Sequence, residues 1–196
     1  MTQTIVPLIL FLFPLAYSPG PGNLFFAANG ARFGFVKTIP ASVGYHLTTW
    51  GVTCLIGLGF GFVTTDFPIV LRVLKYMGGV YILWLAWGML RAGLLKSVGE
   101  PRHAGFVDGV ILLVLNPKAY VIIMLMFTQF TTANTSHAMI ALIATILTLN
   151  NLVAFSVWTL VGDRLATVFR SERNANQLNL LFGGILVAVG IWMLMS

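Results

Sequence analysis

Tyr17-Ser18-Pro19-Gly20-Pro21-Gly22-Asn23 falls inside an apolar run, residues 1–31, that contains no Asp, Glu, Lys or Arg. Proline brings no N–H, so two prolines and two glycines here break the backbone hydrogen-bond ladder of a candidate membrane span. In hydrocarbon such a break is tolerated only where protein or a water-filled cavity satisfies the freed groups. The stretch therefore demands partners. The rest of the chain is read for what could supply them.

The chain has 196 residues, of which 58% are hydrophobic and 8% charged, with a mean hydropathy of +0.93. Soluble domains carry about a quarter charged residues, so this composition is that of an integral membrane protein. Residues 38–65, 76–90, 119–162 and 174–196 also lack Asp, Glu, Lys and Arg. A span needs about 20 mainly apolar residues, and the stretch 119–162 is long enough for two. Six spans are predicted: 5–32 (broken at the Pro-Gly stretch), 38–63, 69–90, 106–130, 137–161 and 178–195. The joints between them are short and hold no separate domain. The N-terminus lacks the basic region of a secretory signal and is expected to be an uncleaved first span.

The net charge is +6 and the pI near 9.9, but the basic residues are scattered between apolar runs. That argues for a topology signal and against nucleic acid as a partner. Joints one, three and five carry Arg32, Lys37, Arg91, Lys96, Arg102, Arg164, Arg170 and Arg173, while joints two and four carry Arg72 and Lys75. By the positive-inside bias both termini face outside. The single Cys54 forms no intrachain disulfide and supplies no thiolate cluster for a metal.

A second break lies in the fourth span, at Asn116-Pro117-Lys118. At about 1.5 Å per residue, Lys118 lies roughly 18 Å into the membrane from residue 106, and the first break about 20 Å in from residue 5. Both fall near the midplane. Paired Pro- or Gly-interrupted spans at corresponding positions of two halves are the sequence pointer to a transporter site.

The halves themselves show an ordered similarity. At an offset of 105 residues, Leu74-Lys75-Tyr76-Met77-Gly78-Gly79 aligns with Asn179-Leu180-Leu181-Phe182-Gly183-Gly184, Trp87 with Trp192, and Tyr45-His46 with Asn150-Asn151. Pro19 and Pro117 pair at an offset of 98. Three spans per half is an odd number, so the two copies must cross in opposite senses. The expected fold is an all-α membrane protein of one domain, residues 1–196. It consists of two inverted three-helix repeats, about 1–95 and 104–196, with broken first and fourth spans.

Lys118 is the chemically expensive residue, since a central Lys costs on the order of 2.5–3.5 kcal/mol on the mild insertion scale. Two readings stand: a structural cation held by carbonyls that Pro21 and Pro117 leave unpaired, and a ligand for a substrate carboxylate, helped by positive half-helix ends. The candidate substrate-binding residues are Ser18, Pro19, Gly20, Pro21, Gly22, Asn23, Asn116, Pro117, Lys118, Asn150 and Asn151. His46 can titrate near neutral pH and is the candidate for proton coupling, beside a plain packing role. Asp108 is expected near the inner interface, and Asp66, Glu100, Asp163 and Glu172 as ordinary interfacial charges. Trp84, Trp87, Trp158 and Trp192 suit interfacial anchoring. Gly44, Gly51, Gly57, Gly59, Gly61, Gly78 and Gly79 suit close helix contact, within one chain or between chains of a homo-oligomer.

Three elements together resemble the LysE/RhtB family of amino-acid exporters. They are Ser18-Pro19-Gly20-Pro21-Gly22-Asn23, Gly78-Gly79-Val80-Tyr81-Ile82-Leu83-Trp84-Leu85-Ala86-Trp87 with Arg91, and Asn116-Pro117-Lys118-Ala119. Members usually show Thr-Pro-Gly-Pro, and here serine keeps the hydroxyl. Members often end the fourth span with Pro-Gln-Phe, where this chain has Thr128-Gln129-Phe130. The resemblance implies a bacterial inner-membrane secondary transporter that exports amino acids or close derivatives, coupled to the proton gradient.

A thiol-disulfide membrane enzyme would need a cysteine pair. A primary pump would need a phosphate-binding lysine loop. A channel would show a filter-like ring of residues, and a metal exporter a cluster of carboxylates, histidines or thiolates at the break. The last two remain as alternatives. No enzyme activity, cofactor or metal is expected; the partners are a small amino-acid substrate and the lipid bilayer.

Overall fold

A computed structural model describes residues 2–18, 20–59, 76–77, 80, 83–84, 86–87, 90, 103–132, 135–168 and 172–195. The fold is all-helical across these residues. In chain order the helices are α1 (Thr2–Tyr17), α2 (Pro21–Leu58), α3 (Phe106–Val114), α4 (Pro117–Phe130), α5 (His137–Val168) and α6 (Glu172–Met195). Most of the third predicted span, with Gly78 and Gly79, lies outside the described residues, as do Gly61, Asp66 and Glu100.

Both breaks are present. α1 meets α2, and α3 meets α4, at bends of 61° each. His137–Leu165 is 29 residues, with an 18-residue stretch of mean hydropathy 2.0, more than a bilayer core of about 30 Å requires. Each bent pair also has the length and composition of a span when its two pieces are taken together.

The predicted joint between the first two spans is a local break within α2. Gly34 has φ 81 and ψ 167, a left-handed conformation that a Cβ would strain. It divides α2 into limbs 21–33 and 35–58. The Phe35 N–H at the start of the second limb donates to Asp163 Oδ2 of α5 at 3.4 Å. Asp163, expected as an ordinary interfacial charge, thus ties α5 to the joint and faces a positive helix end. Asp108 likewise has a local task, its Oδ2 accepting the Gly105 N–H at 2.7 Å at the start of α3.

α2 packs most extensively on α5 and next on α3. Close approach at these contacts depends on reciprocal glycines. A Cβ on Gly30 would enter the Thr159 carbonyl and one on Gly162 the Ala27 carbonyl; likewise Gly44 faces the Phe106 carbonyl and Gly109 the Ala41 carbonyl. Gly57 is pressed by Phe127 and Ile140, whereas Gly51 has open space around its Cβ position. Close contact within the chain therefore holds at Gly44 and Gly57, while Gly51 has no such contact among the described residues.

The buried side chains form three clusters. Leu8 and Leu12 of α1 meet Ile123, Met126 and Phe127 of α4 and Ile143 of α5. Phe25, Phe26 and Tyr45 of α2 meet Leu112 and Leu113 of α3 and Phe155 of α5. Leu24, Ala27 and Ala28 meet Ala86 and Leu186 of α6. The first two clusters hold the broken helices against α5 on either side of the breaks.

Candidate substrate site between two broken helices

The first break frees the carbonyls of residues 15 to 18. A helix would pair them with the N–H groups of residues 19 to 22, of which Pro19 and Pro21 have none. Each carbonyl has a side-chain donor. Ser18 Oγ bonds the Leu15 carbonyl at 2.9 Å, Asn23 Nδ2 the Ala16 carbonyl at 2.9 Å, and Trp158 Nε1 the Tyr17 carbonyl at 3.2 Å. Lys118 Nζ takes the Ser18 carbonyl at 2.6 Å and lies 3.5 Å from Asn23 Oδ1. The two breaks are therefore joined directly, through the ammonium group.

The second break is closed mostly by its own chain. The Leu115 N–H bonds the Ile111 carbonyl at 3.0 Å and the Asn116 N–H bonds the Leu113 carbonyl at 2.9 Å. Tyr120 Oη takes the Val114 carbonyl at 3.0 Å. Gly20 and Asn116, both extended, precede α2 and α4, and Pro21 and Pro117 open these helices. Proline suits the first helical position because its missing N–H would be unpaired there anyway. Both helices thus begin at the breaks, each with its positive end there.

Asn116 is 3% exposed. Its Nδ2 donates to Tyr45 Oη at 2.9 Å, while its Oδ1 has no partner among the described residues. A buried unpaired acceptor costs about 1–3 kcal/mol, so this one is poised for a donor. Around it Asn23, Tyr45, Lys118, Asn151 and Phe155 line a cavity of about 10 Å³, room for about one water. The site is largely filled by its own groups.

The candidate residues divide accordingly. Ser18, Gly20, Pro21, Gly22, Asn23, Asn116, Pro117 and Lys118 come together at the breaks, and buried Asn151 joins them from α5. Pro19 lies outside the described residues. Asn150 is half-buried, with its Nδ2 unpartnered, and is not among the residues lining the cavity. His46 is buried beside the site. Its Nδ1 lies 2.7 Å from the Ser42 carbonyl, and its Nε2 has no hydrogen-bond partner among the described residues.

Tyr45, Phe155 and Trp158 also belong to the site, beyond the candidates that the sequence offers, and Trp158 serves the first break although its residue type suits interfacial anchoring. Counting would have found their kind. Four freed carbonyls with only Ser18 and Asn23 nearby as donors leave two that must be capped from elsewhere in the chain. Trp84 and Trp87, exposed at 64% and 58%, keep the outward placement that interfacial residues need.

A family model described as LysE type translocator matches residues 13–196. Among known relatives, the leucine efflux protein of Klebsiella pneumoniae is 32% identical over 120 residues, 57% of this chain and 55% of that protein. The homoserine/homoserine lactone efflux protein of Salmonella typhi is 24% identical over 183 residues, covering 90% and 88%. The cysteine/O-acetylserine efflux protein of Salmonella typhimurium is 30% identical over 92 residues, covering 46% and 47%. The matches thus span about half the length of the leucine and cysteine relatives and most of the homoserine relative. No solved structure matches the chain. With the family pattern running from within α1 to the last residue, the chain belongs to the LysE type translocator family of membrane proteins.

Proposed function

We propose that this chain is a secondary transporter exporting amino acids or close derivatives across the bacterial inner membrane. It works as a single transmembrane domain, residues 1–196, of two inverted three-span halves with both termini outside. The carrying observation is the reach of Lys118 from the second break to the Ser18 carbonyl of the first. A desolvated ammonium held by one neutral carbonyl and one amide oxygen is a strong binder for a carboxylate. The unpaired Asn116 Oδ1 is the matching acceptor for a cargo ammonium group. The names of the relatives, efflux proteins for leucine, cysteine/O-acetylserine and homoserine, support amino-acid cargo and the outward direction.

The inverted halves draw support from the equal 61° bends and from one packing relation. Gly57 and Gly162 stand 105 residues apart. Each receives a helix that begins at a break, Phe127 of α4 in one case and Ala27 of α2 in the other. Coupling to protons is assigned to His46, a buried imidazole with one nitrogen on Ser42 and the other without a well-formed bond.

The test is counterflow of a panel of labelled amino acids in proteoliposomes. Lys118→Ala should reduce transport about 100-fold, the worth of a charge-assisted hydrogen bond of about 3 kcal/mol; undiminished transport removes the lysine from binding. Failure of the wild type on the whole panel defeats the amino-acid reading. His46→Gln should leave counterflow intact and abolish accumulation driven by a pH gradient; unaltered accumulation excludes His46 from coupling.

A further inference from the structure

The cavity of about 10 Å³ is too small to admit an amino acid as it stands, so some wall must move. Phe155 is the wall in question. Its ring is 4% exposed and packs against the place a Cβ on Gly22 would take, at 2.8 Å. It lies 4.8 Å from the Tyr45 ring and 5.5 Å from the His46 ring, centroid to centroid. Tyr45 lines the small cavity.

His46 instead lines a second cavity, a groove of about 450 Å³ between the second limb of α2 and α5. Leu152, Ser156 and Thr159, the helical neighbours of Phe155, line that groove too. Phe155 therefore separates a space too small for cargo from one within the usual 300–1,000 Å³ of ligand pockets. The groove is lined by Val43, Leu47, Leu149 and Leu152, by hydroxyls and by His46, with no Asp or Glu among the described residues. Its threonines Thr38, Thr145, Thr148 and Thr159 donate to carbonyls of their own helices, so an entering group meets an apolar surface.

We propose that Phe155 determines which side chains the transporter accepts. Displacement of its ring opens the small cavity toward the groove, and the cargo side chain takes the ring's place. This rests on the amino-acid reading of the site and narrows it to cargo with uncharged, apolar side chains. A cationic side chain would enter a compartment that offers no carboxylate and lies beside the ammonium of Lys118.

The test is counterflow in proteoliposomes holding the full chain, with alanine, leucine, phenylalanine and lysine as cargo, for the wild type, Phe155→Leu, Phe155→Ala and Phe155→Trp. Enlarging the space should raise kcat/KM for phenylalanine relative to alanine about 10-fold. Phe155→Trp should lower the leucine-to-alanine ratio by a similar factor, the discrimination a hydrophobic pocket gives for about one methylene. Phe155→Leu keeps most of the packing, so the size ratio is read even if Phe155→Ala folds poorly. Ratios unchanged in variants that still carry alanine overturn the proposal, as does lysine transport equal to that of leucine in the wild type. A wild type that carries none of the four overturns the amino-acid reading itself, and this inference with it.

Discussion

The two breaks bend equally, by 61°, yet they are held in different ways. At the first, four consecutive carbonyls are taken by side chains, two of them from residues 141 and 100 positions away in the chain. At the second, backbone N–H groups and a tyrosine of the next turn suffice. The second break can form from local sequence. The first cannot: without Trp158 and Lys118 its end carbonyls would stand unpaired in a medium without water. The second break is therefore the anchor, and the first is shaped by docking onto it and onto α5.

The strongest way to break this contrast is Asn23→Leu, which keeps the branched shape of the side chain and removes both polar atoms of its amide. The Ala16 carbonyl loses its donor and Lys118 its nearby amide oxygen, a loss of about 3 kcal/mol for two buried partners. Thermal unfolding in detergent measures it; a change near zero would mean that water already caps these groups. Gly20→Ala comes next. The new Cβ would lie 2.8 Å from Lys118 Cδ and 3.1 Å from Nζ. A flexible side chain can yield, so the expected cost is about 1–2 kcal/mol, with a fall in transport as Lys118 is displaced.

Trp158→Phe removes one donor from the first break and should cost about 1 kcal/mol, within the range for hydrogen bonds between membrane helices. Tyr120→Phe, the equivalent deletion at the second break, should cost about 0.5 kcal/mol, because the backbone bonds around it remain. If Tyr120→Phe proves the more damaging of this last pair, the assignment of anchor and follower is reversed.

The place and chemistry of both breaks can be read from the chain because they depend on covalent facts: proline has no N–H, and a lysine within an apolar run is costly. The break at Gly34 is only partly legible; Arg32 and Lys37 mark a joint, but nothing in their spacing says that α2 runs from Pro21 to Leu58 around one left-handed glycine. Of the partners of the breaks, Lys118 alone is legible, as a buried cation that needs carbonyls. Tyr45 meets Asn116 across 71 residues, and Asp163 meets Phe35 across 128. Such pairings follow from how helices pack, and helical periodicity is silent on which helix packs where. Trp158 misleads because an amphipathic ring suits a membrane interface as well as it suits a buried carbonyl.

The reciprocal glycines carry a consequence for mutational tolerance. Any substitution at Gly30, Gly44, Gly109 or Gly162 adds at least a methyl group where a carbonyl of the facing helix already stands. The neighbour is backbone and cannot rotate away as a side chain would, so even alanine requires two helices to part. A scan of apolar substitutions should therefore be flat across the outward face of α5, at positions such as Val153 and Leu160. At these four glycines it should be intolerant. The positions least open to variation then lie outside the binding site, where the protein's own helices come closest together.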